Sequence, residues 1–239
     1  VGAVVILALV GVGAYFALRP TGNPSAHINP TATNAVATAT NAPTATATRN
    51  ATVTYTENIP SCASPNNWSV NSSQVSCGSS SVTITDPASS HTLSEADFNG
   101  TGSSGFAFGS SYDVSVNMSN LVNACAGIIV LRNKSNNAGV GVLLCSDGSW
   151  DAIQYSPAGS PKILGSGNAG AVTIDPNQNI LDLLVTPSSI QVTEAATSLT
   201  NIPRSDSLTT DFISLAVENS NSASAGACNF DTFAFSGLS

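Results

Sequence analysis

YDVSVNMSNLVNACAGIIVLRNKSNNAGVGVLLCSDGSWDAIQY, residues 112–155, decides the fold. Short runs rich in Val, Ile and Leu alternate with clusters of Asn, Gly, Ser and Asp, the pattern of an antiparallel meander. With Ser135 at the tip of a hairpin, Ile129 faces Gly141, Gly127 faces Leu143, and Cys125 faces Cys145. Directly opposed cysteines on paired strands are close enough to bridge. Ser146-Asp147-Gly148-Ser149 then carries the Asp-Gly signal of a second tight turn and leads into Trp150.

The remainder of residues 61–239 repeats this grammar. Val82 and Ile84 alternate with Thr83 and Thr85. PKILGSG (161–167), AGAVTID (169–175), NILDLLVTPSSIQVTEA (179–195), TDFISLAVEN (210–219) and CNFDTFAF (228–235) each read as strand-forming units, with Asp175-Pro176-Asn177 and Pro187-Ser188-Ser189 as turns. No sustained helical period occurs. About a dozen short strands at regular spacing predict an all-β domain, a two-sheet antiparallel jelly-roll sandwich. SSHTLSEADFNGTGSSG (89–105), polar and flanked by Gly and Ser, reads as a surface segment.

Two different segments precede that domain. Residues 1–20 begin with VGAVVILALVGVGAYFAL, an uncharged run of 18 residues that reaches about 27 Å as a helix, enough to cross a bilayer core. It is longer than the apolar region of a signal peptide and no small-residue cleavage site follows Leu18, so a transmembrane anchor is expected. Residues 21–60 are half Thr and Ala, with four prolines and only Arg49 and Glu57 charged, the composition of a disordered stalk. The expected location is the cell membrane, single-pass, with the C-terminal domain extracellular.

Composition narrows the function classes. Only 8% of the chain is charged and the formal charge is −8. No Lys/Arg stripe exists to meet a phosphate backbone, which argues against nucleic acid as a partner. Five cysteines without metal-ligand spacings fit structural disulfides in an oxidising compartment. Besides Cys125–Cys145, Cys62 and Cys77 bracket a short loop around Trp68 and are expected to pair. Cys228 is then the odd thiol, and a Cys77–Cys228 bridge between first and last strands is the rival arrangement.

A resemblance enters on the order of these units. Trp68 and Cys77 precede YDVSVNM (112–118); then come AGIIVLRN (126–133), DGSW (147–150), KILGSG (162–167), NILDLLV followed by IQV (190–192), ISLAVEN (213–219) and NFDTFAF (229–235). The whole resembles the concanavalin A-like, laminin G-like β-sandwich of membrane-anchored bacterial proteins, including the outer halves of receptor-like serine/threonine kinases. Where such chains often read Val-Asn-Gly after the Ile-x-Val unit, this one has Thr193-Glu194-Ala195.

The resemblance implies candidate sites. Glycosidases of this class carry an ExDxxE strand whose carboxylates act as nucleophile and general acid. The partial match here is Glu95-Ala96-Asp97, with Gly100 at the third position. His91, the domain's one histidine, has no nucleophile elbow beside it. Sandwiches of this class often hold Ca2+, a hard cation suited to Asp oxygens; Asp147, Asp151, Asp175 and Asp231 are the candidate ligands. Glycan stacking would draw on Trp68, Trp150, Tyr112 and Tyr155, of which Trp150 and Tyr155 must point to opposite faces of one strand. The missing catalytic set favours a non-enzymatic binding or sensor module for an extracellular glycan or protein, the outer half of a receptor kinase among the arrangements expected; a tethered or secreted carbohydrate-active enzyme is the alternative.

Residues 1–20 fused to a reporter are expected to stay in the membrane fraction through an alkaline carbonate wash. Release of a soluble product beginning near residue 20 would identify a signal peptide instead.

Overall fold

The computed structural model describes residues 51–238 apart from 59–67, 71–73, 80, 89–92, 100–107, 157–159, 205–207 and 222. The described residues form strands and no helix, so none is long and apolar enough to cross a membrane. The apolar run 1–20, most of the stalk segment, Cys62 and His91 lie outside the described residues.

Two antiparallel sheets face each other. One runs β13 (Thr197–Pro203), β12 (Ser189–Glu194), β11 (Asn179–Val185), β6 (Tyr112–Val122), β15 (Gly226–Leu238), β4 (Val82–Asp86), β3 (Val75–Cys77). Its eighth strand, β1 (Ala51–Asn58), pairs with the second half of β15. The other runs β10 (Lys162–Gly167), β9 (Trp150–Tyr155), β8 (Gly139–Cys145), β7 (Ala124–Arg132), β14 (Phe212–Asn219), β5 (Ser94–Phe98), β2 (Trp68–Val70).

Alternation builds the core between them. Val114, Val116 and Met118 of β6 point inward, as do Leu181, Leu183 and Val185 of β11 and Phe230, Phe233 and Phe235 of β15. The facing sheet contributes Ala126, Ile128 and Val130, then Val142 and Leu144, then Leu215 and Val217. At one end the rings interlock: Phe98 lies 4.8 Å from Phe233 and 4.9 Å from Tyr55, and Trp68 lies 5.1 Å from Phe233. Each large side chain removed from water contributes about 1.5–3 kcal/mol.

The expected hairpin is present. Cys125 pairs with Cys145, Gly127 with Leu143 and Ile129 with Gly141. Cys125 and Cys145 are joined by a disulfide. Cys77 is also disulfide-bonded, and Cys228 is a buried free thiol. At the second turn Gly148 takes φ of 79°, a left-handed conformation that favours Gly.

Three expectations need correction. Residues 51–58, read as part of the 21–60 stalk, form β1; Val53 and Tyr55 alternate with threonines, and the Tyr55 ring packs on Phe98 and Phe233. Residues 94–98, read as a polar surface segment, form β5, with Ala96 and Phe98 in the core. Residues 169–175, read as a strand, are turns and coil: Ala171 donates to the Asn168 carbonyl and Val172 to that of Gly148. Those bonds fold the segment onto the Asp147-Gly148 turn instead of a sheet edge.

The β12–β13 turn places Ala195 and Ala196 at φ of 45° and 67°, both in the left-handed region. Two-residue hairpins of this kind favour Asn-Gly. Replacing both together (Ala195→Asn, Ala196→Gly) should raise stability by about 1 kcal/mol. An unchanged midpoint in urea unfolding would contradict that reading of the turn.

Candidate functional site

The outward face of the seven-stranded sheet gathers the polar side chains that the sequence scatters. On β5, Glu95 and Asp97 alternate with the core residues Ala96 and Phe98, so both carboxylates share the outward face. Strand pairing sets Asp97 beside Ser214 and Glu95 beside Ala216. Ser214 in turn lies next to Ile129, and Ile129 next to Gly141.

Arg132 reaches this face through an irregularity. Simple alternation from Ile128 and Val130 would turn Arg132 into the core. Instead the β7–β14 register shifts between Phe212 and Ser214, and Leu131 adopts φ of 55°. Two consecutive residues, Val130 and Leu131, therefore enter the core and Arg132 emerges outside. Left-handed backbone at a bulky residue costs on the order of 1–3 kcal/mol and calls for local support. The Leu131 amide donates to the Tyr112 hydroxyl at 3.4 Å, which also bonds Thr210 at 2.9 Å. Burial pushes the Tyr112 phenol up to about 12.

Three of the five guanidinium N–H groups have partners among the described residues. The guanidinium forms an ion pair with Glu95, donates to the Asn137 carbonyl at 2.6 Å and approaches Ser214 Oγ at 3.5 Å. It also stands 5.9 Å from the Tyr155 ring centre and 5.8 Å from that of Phe212. Ser214 Oγ donates to Asp97 at 2.7 Å. Burial raises the pKa of both carboxyls, and the opposing pull of Arg132 on Glu95 and of Ser214 on Asp97 is smaller.

Tyr155 completes the cluster. Its ring lies over Gly141, where a Cβ would stand 2.8 Å from a ring carbon. Its hydroxyl is buried and has no hydrogen-bond partner among the described residues. Burial raises its pKa, as do Glu218, Glu95 and Asp151, while Arg132 opposes them. Beside this cluster lies an apolar group: Ile129, Leu143, Ile153 and Ala216 pack with the Cys125–Cys145 bridge, and Leu93 lies against them. Solvent reaches the cluster at the β5 margin, where the Glu95 side chain is 21% exposed.

The other candidates are dispersed. Trp68, Trp150 and Tyr112 are core side chains, so no stacking platform forms from them. Asp147 accepts from the amide and hydroxyl of Ser149, Asp175 accepts from the Asn177 amide, and Asp231 lies on β15. Asp151 points outward from β9, opposite Leu143. Among the described residues no three His, Cys, Asp or Glu side chains are grouped to hold a metal ion. Glu95 and Asp97 do share a strand face, and the next same-face position is Asn99, an amide that cannot act as a carboxylate. Arg132 and Ser214 went unsingled in the sequence, because only the bulge and the β14 register bring them here.

The architecture is a two-sheet antiparallel β-sandwich, the fold of concanavalin A-like lectin- and glucanase-type structures. No family model matches the chain, and no curated protein does. Solved structures share its fold at low identity. The Emp46p carbohydrate recognition domain, in metal-free form, aligns at TM-score 0.57 and 8% identity over 75% of this chain and 94% of its own. A β-glucanase from Bacillus licheniformis aligns at TM-score 0.55 and 11% identity, over 76% and 97%. The GH43 BlXynB protein from the same organism aligns at TM-score 0.52 and 12% identity over 72% of this chain, which spans 37% of that protein.

Burial raises the carboxyl pKa of Glu95 and Asp97, and likewise of Asp113, Asp182 and Glu194 on the other sheet. An acid whose folded pKa exceeds its unfolded one takes up protons on folding. Its stabilisation is complete below the unfolded pKa and is lost as pH rises through the folded one. The thermal midpoint should therefore rise between pH 7.5 and pH 5, by about 2–4 °C per kcal/mol of linkage. A flat or falling profile would contradict this electrostatic picture.

Proposed function

We propose that the protein is a membrane-tethered, extracellular carbohydrate-binding module that performs no chemistry on its ligand. The observation that carries this reading is the outward cluster of Glu95, Asp97, Ser214, Arg132 and Tyr155. Carboxylates and hydroxyls fixed on a rigid sheet suit the hydroxyl groups of a sugar, and the β5 margin is where a chain of sugars has access. The likeness to the Emp46p carbohydrate recognition domain supports it at the level of fold. Residues 1–20 serve as the anchor and 21–50 as the stalk, and the domain acts as the outer, sensing half of a receptor kinase.

Hydrolysis is the second reading, favoured by two carboxylates on one strand face with raised pKa. Retention needs one carboxylate free as nucleophile and another as acid, about 5–5.5 Å apart. Glu95 is instead committed to Arg132, and Asp97 accepts from Ser214.

Residues 51–239 should bind one or more polysaccharides in a mixed panel by affinity electrophoresis or calorimetry, with no new reducing ends after prolonged incubation. Reducing ends that disappear in Glu95→Gln would establish the enzyme instead. Absence of binding across the panel would remove the glycan reading.

A further inference from the structure

We infer that β1 is a detachable strap: it leaves and regains the edge of β15 while both sheets stay folded. This holds whichever ligand the outward face takes.

β1 is held on one side. Among the described residues it pairs only with β15, from Ala51 opposite Leu238 to Asn58 opposite Thr232. Ordering eight residues for a single row of hydrogen bonds leaves little surplus over the conformational entropy lost. The edge strands β3, β10 and β13 each pair with the strand next to them in sequence. β1 has no such hairpin: the strand that follows it, β2, lies in the other sheet. Its pairing is also irregular between Ala51 and Val53, at the end where the preceding residues enter.

The sandwich does not depend on it. The other flank of β15 pairs with β6 along the same stretch, from Thr232 opposite Asn117 to Gly237 opposite Tyr112. The Tyr55 ring packs on Phe98 and Phe233, yet those two rings already lie 4.8 Å apart, and Trp68 lies 5.1 Å from Phe233. Phe108 and Tyr112 stand 5.4 and 5.5 Å from Phe235. The layers therefore stay joined when the strap opens. What opening uncovers is the β1-facing edge of β15 and the ring faces that Tyr55 covers.

Position gives the opening its use. Residues 1–50 join the domain at Ala51, so a load carried by them bears on β1 before it reaches the rest of either sheet.

Hydrogen exchange in the full chain tests the strap. The β1 amides that bond β15 are expected to exchange at least about tenfold faster than those of β6 and β14, which are paired on both sides. Ile128→Val trims a fully buried side chain in β7. It should speed exchange in β6 and β14 about three- to tenfold and leave β1 unchanged. Thr56→Cys combined with Ala234→Cys, oxidised, bridges two residues that face each other across the ladder, and should slow β1 to the rate of β6 and β14. Exchange of β1 at the core rate in the unaltered protein would overturn the strap, as would equal acceleration of all three strands in Ile128→Val. An unchanged β1 rate in the bridged variant would show that its amides exchange without leaving β15, and would overturn it too.

Discussion

A Cβ on Gly127 would stand 2.0 Å from the carbonyl oxygen of Val142, so no side chain fits where β7 and β8 approach each other. That approach fixes one register and forbids its neighbours, because a slip of one residue would bring a side chain to the spot and invert every face of β8. From it follow the opposition of Cys125 and Cys145 and the placing of Gly141 beside Ile129. The Asp147-Gly148 turn carries the same phase into β9, which sends Trp150 to the core and Tyr155 to the outside. Tyr155 can lie flat only because the residue beneath it, Gly141, has no side chain.

The second constraint breaks the period that the first enforces. Left-handed backbone at Leu131 delivers an arginine to a nearly closed sheet face. A cation buried without a partner is prohibitive, and the neighbouring strand supplies Glu95. The pair then shapes the chemistry of the site. A carboxylate held by a guanidinium is a fixed acceptor and a poor nucleophile. The outward turn of Arg132 and its pairing with Glu95 come from one structural event.

The legible part of this fold was the hairpin and its turns. Residues 112–155 yielded the hairpin register, the bridge and the opposed faces of Trp150 and Tyr155 because glycines, cysteines and turn residues each allow few positions. The site was illegible for three physical reasons. A bulge leaves no compositional mark, and Leu131-Arg132 reads as ordinary strand. A five-residue strand whose outward positions are Glu95 and Asp97 looks like a polar loop until its partners β14 and β2 are known. Conversely, Ala169–Asp175 has strand composition, but its amides are claimed by local turns before a sheet can use them.

What holds β5 in place is itself polar and deeply buried. Asp86, at the end of β4 in one sheet, accepts from Ser94 Oγ at 2.9 Å and from the Asn219 amide at 2.9 Å, both in the other sheet. This side chain ties the two sheets together, and both donors neighbour residues of the outward face: Ser94 precedes Glu95, and Asn219 follows Glu218. A lost donor would leave a buried charge short of a bond, so the tie resists displacement of either strand end. The basic residues follow the same economy. Arg132 serves the bulge, and Arg204 donates to the carbonyls of Thr186 and Leu208, leaving Lys134 and Lys162 as the exposed cations among the described residues. Among the described residues the buried cations are thus spent on internal carbonyls and pairs.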